Sequence, residues 1–210
     1  MSILQEISEQ LQKGKANEVK DLVQKARDDG MGGKQILNEG LMTGMGIIGE
    51  KFKKNEVYVP EVLIAARAMN SGIEVIKDLL AEDSDEAKGR VVLGTVKGDL
   101  HDIGKNLVKI MMEGKGLEVI DLGIDTPAEK FVEAAKENSA NIIACSALLT
   151  TTMTEMENVV KAAEEAGYRD KVKIMVGGAP VTQSYCESIG ADVYAPDAAS
   201  AADSAVEISG

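Results

Sequence analysis

The stretch RVVLGTVKGDLHDIGKN, residues 90–106, runs from an unbroken apolar segment through a glycine-bearing polar loop into the start of a helical pattern. It holds the chain's single histidine, His101, between Asp99 and Asp102. A short apolar run rich in β-branched residues, followed at once by helical periodicity, reads as a strand buried on both faces that feeds a crossover helix. The same unit recurs downstream. Strands are expected at 90–96, 117–122, 141–146, 171–176 and 192–194, with helices near 103–115, 127–138, 152–166, 181–189 and 198–208. Right-handed crossovers then predict a five-stranded parallel sheet with helices on both faces, an α/β Rossmann-like (flavodoxin-like) domain of order 2-1-3-4-5.

Upstream of this domain the rhythm is different. Apolar residues recur at spacings of three and four, as in Ile3, Ile7, Leu11, then Val19, Leu22, Val23, Ala26, then Ile36, Leu41, Met45, Ile48, Phe52. Turn-forming stretches KGKAN and DDGMGG separate these segments, and Val59-Pro60-Glu61 opens a last helix. The pattern predicts an all-α four-helix bundle over residues 1–81. The acidic stretch AEDSDEAKGR has no apolar period and reads as a linker at 82–89, leaving 90–210 for the α/β domain.

Composition excludes several classes. A formal charge of −12 without a basic block removes the attraction that drives non-specific nucleic-acid binding. No stretch has the length of apolar sequence that a membrane helix needs, and MSILQEISEQ lacks the basic start of a signal peptide, so a cytoplasmic protein is expected. Cys145 and Cys186 read as buried thiols, and one histidine with two distant cysteines does not make a zinc cluster.

Sheets of this kind bind ligands beyond the carboxyl ends of their strands. Three unusual loops converge there: GTVKGDLHDIGKN after strand 1, CSALLTTTM after strand 3 and VGGAP after strand 4. Taken alone, His101 could be a polar residue packed at a helix start. Asp99, however, is placed to accept its Nδ1 proton and free Nε2 as a ligand, while Gly104 leaves room for a bulky group. Asp102 is expected to cap the following helix. One nitrogen donor cannot hold a transition metal tightly, so a metal bound by His101 would arrive already held by something else. The hydroxyls of Ser146, Thr150, Thr151 and Thr152 suit an ordinary helix start, and Gly177-Gly178 suits a turn, yet both border the histidine loop, where a slot for an extended ligand would form.

The series Asp99-Leu100-His101-Asp102-Ile103-Gly104, Ser146-Ala147-Leu148 and Gly177-Gly178 resembles the D-x-H-x-x-G, S-x-L, G-G motifs of cobalamin-binding domains. EGLMTGMGIIGEKFKKNEVYVPEVLIAARAM is similar to the helical cap that precedes this domain in methionine synthase and in small corrinoid proteins of anaerobic methyltransferase systems. The resemblance implies a cobalamin or related corrinoid, bound base-off with His101 on cobalt. It implies contacts from Gly98, Asp99, Leu100, His101, Asp102, Ile103, Gly104, Ser146, Leu148, Thr150, Thr152, Gly177, Gly178 and Ala198. Asp99 would orient His101. Thr152 stands where methionine synthase has a serine, completing a relay with the hydroxyl kept. Phe52, Val59 and Val62 match cap residues that shield the methyl group, although bundle core is the plainer role for such side chains.

The function implied by the resemblance is that of a corrinoid methyl carrier cycling between Co(I) and methyl-Co(III). It would take a methyl group from a substrate-specific methyltransferase and deliver it to a second one that serves tetrahydrofolate or a thiol cofactor. A corrinoid reductive activase would be a further partner; nucleic acid and membrane would not. Such a chain is a component of an enzyme system and not catalytic alone. A cobalamin-dependent sensor or regulatory module is the alternative, but it would be expected to carry an output module and bulky Trp or His residues over an adenosyl group, and this chain has no Trp, no second His and no basic domain. A mutase subunit would lack the helical cap, and a receiver-like module would end strand 3 in acids, where this chain has Ser and Thr.

Overall fold

Helix α1 (Ile3–Gln12) opens with a reciprocal cap: the Ser2 hydroxyl accepts the Gln5 N–H at 3.2 Å, and the Gln5 side chain accepts the Ser2 N–H at 3.0 Å. This satisfies two of the four N–H groups that a helix start leaves open. Its buried face, Leu4, Ile7 and Leu11, matches the expected spacing. α2 (Ala16–Asp28) buries Val19, Val23 and Ala26. The third helical rod has three contiguous parts: α3 (Gly33–Gln35), a π-helical segment (Ile36–Met42) and α4 (Thr43–Lys53). α5 (Val59–Glu82) carries Pro60 in its first turn, and the Glu61 carboxylate accepts the Tyr58 N–H at 3.1 Å.

The four expected helices are therefore present, the third with a π-helical middle that three-and-four spacing does not announce. It passes close to α1 because Gly40 and Gly44 carry no side chain there; a Cβ would sit 3.2 Å from Ile7 and 3.0 Å from the Ser8 carbonyl oxygen. These observations come from a computed structural model that describes residues 2–82 and 89–209. The chain divides into two compact units, Met1–Glu86 and Ala87–Gly210. Apart from its two end residues, the linker expected at 82–89 lies outside the described residues.

In the second unit the elements are β1 (Arg90–Thr95), α6 (Ile103–Glu113), β2 (Glu118–Asp121), α7 (Ala128–Glu137), β3 (Ile142–Ser146), α8 (Glu155–Glu165), β4 (Lys173–Gly177), α9 (Gln183–Ser188), β5 (Val193–Ala195) and α10 (Ala198–Ser209). All strand pairs are parallel and the order is β2-β1-β3-β4-β5, as expected. Alternate residues serve opposite faces. Val92, Ile143, Cys145, Ile174 and Val176 pack with α7 and α8 through Phe131, Val132, Val159 and Val160. Val91, Leu93, Ile142, Ala144 and Met175 are equally buried in the other face, where α6 and α10 lie together. Most element ends fall within two residues of the sequence expectation. The exception is α8, which starts at Glu155 and not at 152, because residues 149–154 form a turn.

Candidate functional site

The register brings the motifs into one row. Thr95 of β1 pairs with Ser146 of β3, Ser146 with Gly177 of β4, and Gly177 with Ala195 of β5. Each strand therefore ends at the same level, and the three loops leave from a common edge. Strand order reverses between β1 and β3, so the edge is the crevice where such sheets take ligands.

The histidine loop rises from β1 with Gly98 at φ 80°, a left-handed conformation that favours glycine. Asp99 turns back into the protein and is wholly buried. Its Oδ1 lies 2.7 Å from His101 Nδ1 and accepts the His101 N–H at 3.1 Å. Its Oδ2 accepts the Leu148 N–H at 2.8 Å and the Thr152 hydroxyl at 2.7 Å. Burial alone would push the Asp99 carboxyl up. The four donors outweigh it, Leu148 first, then Thr152 and His101, and hold it well below the usual carboxylate range. An ionised Asp99 can only accept, so Nδ1 carries the ring proton and the Nε2 lone pair points away from it.

Large apolar side chains lie exposed at the same edge as that nitrogen. Among the described residues of the second unit, the large hydrophobic side chains left exposed are Leu100, Ile103, Ile124, Leu148 and Leu149, all at this edge. Ile103 is 72% exposed and Leu100 68%, side chains that water alone would not keep outside. The space where a Gly104 side chain would stand is open. No group of three or more His, Cys, Asp or Glu able to hold a metal exists among the described residues. The donor set is one oriented imidazole in an apolar rim, which suits a metal brought in by a flat organic chelate.

The remaining expected site residues divide by exposure. Ser146 and Thr150 lie at this edge, Thr150 exposed and Ser146 half-buried, while Ala198 is buried at the start of α10. Gly177 and Gly178 have a reason besides leaving a slot. A Cβ on Gly178, at φ 133°, would collide with the Ala147 carbonyl, and one on Gly177 would sit 2.9 Å from the Ala195 carbonyl oxygen. Gly178 lets the β3 and β4 loops touch backbone to backbone, and Gly177 does the same for the ends of β4 and β5. Asp102 occupies the position before α6 but makes no side-chain cap; its Oδ2 instead accepts Asn106 Nδ2 at 3.3 Å. The capping expectation is corrected on that point. In the helical unit, Phe52 and Val59 keep part of their surface exposed, whereas Val62 is fully buried, the position of a core side chain.

Three residues were not singled out by sequence reasoning. Thr95, fully buried, donates its hydroxyl to the His101 carbonyl at 2.9 Å. Lys105, 3% exposed, reaches Asp121 Oδ1 at 2.6 Å and ties the start of α6 to the end of β2. Asp125 contacts the histidine loop from the β2–α7 connection. The usable signal was position: all three sit at or beside strand carboxyl ends next to the reversal point.

A parallel α/β unit presenting one oriented imidazole beside exposed apolar side chains defines the class to be compared with known proteins. Residues 89–206 match the family described as B12 binding domain, and residues 3–77 match a second family with the same description. A dimethylamine corrinoid protein of Methanosarcina barkeri is 42% identical over 207 residues, covering 98% of this chain and 97% of that protein. Trimethylamine corrinoid protein 1 of Methanosarcina acetivorans is 48% identical over 166 residues, 78% of this chain and 77% of that one. The crystal structure of the methanol:cobalamin methyltransferase complex MtaBC from Methanosarcina barkeri matches with a TM-score of 0.89 at 31% identity, covering 99% of this chain and 79% of the other. The chain belongs to the B12-binding domain family. Its cofactor class is cobalamin or a related corrinoid. Among the described residues no helix is long and apolar enough to cross a membrane.

Proposed function

We propose that this chain is a corrinoid methyl carrier that accepts a methyl group from a substrate-specific methyltransferase and delivers it to a second methyltransferase, with tetrahydrofolate or a thiol cofactor as the final acceptor. The observation that carries the reading is His101, held through Nδ1 by a buried, ionised Asp99, with Nε2 left free inside an apolar rim. The corrinoid, when bound, supplies a cobalt that takes up and gives up a methyl group between its Co(I) and Co(III) states.

The protein's own part would be to offer one ligand. His101 would hold the cobalt through Nε2. Asp99 fixes its tautomer, and Thr152 holds Asp99 through a 2.7 Å hydrogen bond. Ser146, Leu148, Gly177 and Gly178 would border the slot for the nucleotide tail; Gly98, Leu100, Asp102, Ile103, Gly104, Thr150 and Ala198 would make further contacts with the cofactor.

In this reading the helical unit, 1–81, is joined through 82–89 to the carrier domain, 90–210. Phe52, Val59 and Val62 are proposed as the cofactor-binding residues of the helical unit. The names of the relatives favour a methylamine methyltransferase as the donor-side partner. A corrinoid reductive activase restores the reduced cofactor, and the system works in the cytoplasm.

The test is an absorption spectrum of the protein reconstituted with methylcobalamin, beside the His101→Ala variant. A histidine-coordinated spectrum in the wild type that changes to the base-off form in the variant supports the reading. A folded wild type that binds no corrinoid refutes it.

A further inference from the structure

The connection between β2 and α7 reaches back over the histidine loop at one residue. Asp125 Oδ1 accepts the Gly98 N–H at 2.7 Å, and the Asp125 N–H donates to the Asp99 carbonyl oxygen at 3.0 Å. These two bonds straddle the Gly98–Asp99 peptide from which the Asp99 side chain turns inward. Asp125 has φ 50°, in the left-handed region that few non-glycine residues enter and that Asp and Asn tolerate best. A residue kept in an unfavoured conformation while its side chain and its own N–H both grip one neighbouring loop is held there by what it grips.

The remaining backbone supports of that loop lie at its ends. The Asp99 N–H donates to the Val96 carbonyl at 3.1 Å, and the Thr95 hydroxyl holds the His101 carbonyl at 2.9 Å. From the β3 side, Leu148 and Thr152 grip the Asp99 carboxylate. Asp125 opposes that pull from the β2 side. Without it, Gly98 at φ 80° is held between β1 and Asp99 by the Val96–Asp99 turn bond alone.

We propose that Asp125 is a positioning residue for the Asp99–His101 pair: by clamping Gly98 and Asp99 it places the Asp99 carboxylate where it keeps the proton of His101 on Nδ1 and leaves Nε2 free. Asp125 touches neither the imidazole nor the space beyond it. Its effect on histidine–cobalt coordination rests on the methyl-carrier reading; its effect on the imidazole itself does not.

Because the chain has one histidine, nitrogen-15 labelling of histidine gives the ring signals of His101 alone. Those signals, read in the full-length protein without corrinoid at a pH where the ring is neutral, report which nitrogen carries the proton. Asp125→Gly removes the carboxylate but keeps the backbone at ease in the left-handed region. Asp125→Asn keeps a carbonyl oxygen for the Gly98 N–H. Asp125→Gly is expected to shift the ring from the Nδ1–H form toward a mixture, and to speed exchange of the Gly98 amide about five- to tenfold, the effect of one lost hydrogen bond. Asp125→Asn is expected to restore both signals.

In protein loaded with cob(II)alamin, the nitrogen splitting of the electron spin resonance spectrum should weaken in Asp125→Gly and return in Asp125→Asn. Wild-type ring signals and Gly98 exchange in Asp125→Gly, with only a lower unfolding temperature, would overturn the proposal and leave Asp125 a support of its own loop. A change in Asp125→Asn as large as in Asp125→Gly would also overturn it, since the hydrogen bond would then not be the cause. If the apo ring signals respond as expected while loaded wild type shows no histidine coordination, the positioning role stands and the methyl-carrier reading falls.

Discussion

Thr152 Oγ1 lies 2.7 Å from Asp99 Oδ2, although the two residues are 53 positions apart and belong to the loops after β3 and β1. The bond is one of four on a carboxylate that has no exposed surface, so it fastens the two loops and fixes the charge beneath His101.

Thr152→Val keeps the shape and removes the donor, leaving Asp99 Oδ2 with the Leu148 N–H alone. The expected cost is about 1–2 kcal/mol, measured by urea unfolding, with Thr152→Ser within about 0.5 kcal/mol of wild type. The Asp99 carboxyl should move up toward the usual carboxylate range, visible as a raised titration of its carboxyl carbon signal.

Stability should fall in acid, a sign set by two aspartates. Burial pushes Asp99 and Asp121 up, but hydrogen-bond donors prevail and hold both below their ordinary values; for Asp121 these are chiefly Lys105 and the Gly123 N–H. A carboxyl whose folded pKa lies below its unfolded value of about 3.9 contributes stability that is fully present above that value and lost as pH falls through the folded one. Glu113, whose carboxyl is pushed up by partial desolvation, works in the opposite sense, since its protonation favours the folded chain. The expectation is a loss of unfolding free energy below about pH 5, read from urea midpoints between about pH 7 and pH 3. An unfolding free energy unchanged over that range would contradict the four-donor account of Asp99.

Gly178→Ala should be more damaging than Gly177→Ala. At Gly178 the added Cβ meets the Ala147 carbonyl and the backbone is at φ 133°, whereas at Gly177 the neighbour is the Ala195 carbonyl at 2.9 Å without a positive φ. Both obstacles are backbone and cannot turn aside. The expected loss at Gly178 exceeds about 2 kcal/mol, checked by thermal unfolding, and should be accompanied by weaker corrinoid binding.

Lys105 tests the anchor of α6. Its ammonium, almost wholly buried, holds Asp121 Oδ1 at 2.6 Å and Asn106 Oδ1 at 2.8 Å. Lys105→Met leaves a partly buried carboxylate without its main partner. The expected cost is about 2 kcal/mol, discounted because one-fifth of the Asp121 side chain reaches water. Replacing Asp121 by Asn in the same chain should recover part of that loss, since the stranded charge is then gone.

The strands, the helices and the sheet order were legible because continuous apolar runs, amphipathic periods and right-handed crossovers leave few arrangements. So was the meeting place of the three loops, since strand order alone puts the ends of β1, β3 and β4 together. Asp125 was not legible, because its partner is the N–H of a residue 27 positions earlier and its side chain looks like that of any turn aspartate. Nor was the apolar rim: Leu100, Ile103 and Leu148 read as ordinary hydrophobic residues until their exposure is seen. Asp102 misled because an aspartate before a helix is usually its cap, and here the φ of −123° and ψ of −17° turn the carboxylate toward Asn106 instead. The double glycine was noticed for its missing side chains, but the pressing reason for them is the carbonyl of Ala147, which no local pattern announces.

The saturation of Asp99 governs how protons can travel. Every favourable lone-pair direction of its carboxylate is taken, by a ring nitrogen, two main-chain amides and a hydroxyl, and no solvent touches it. A proton cannot arrive there as an addition; it enters only where a donor lets go. The donor with an outlet is His101, half in water, whereas Thr152 is nearly sealed. Among the described residues, the imidazole is thus the one wide opening onto an otherwise sealed carboxylate.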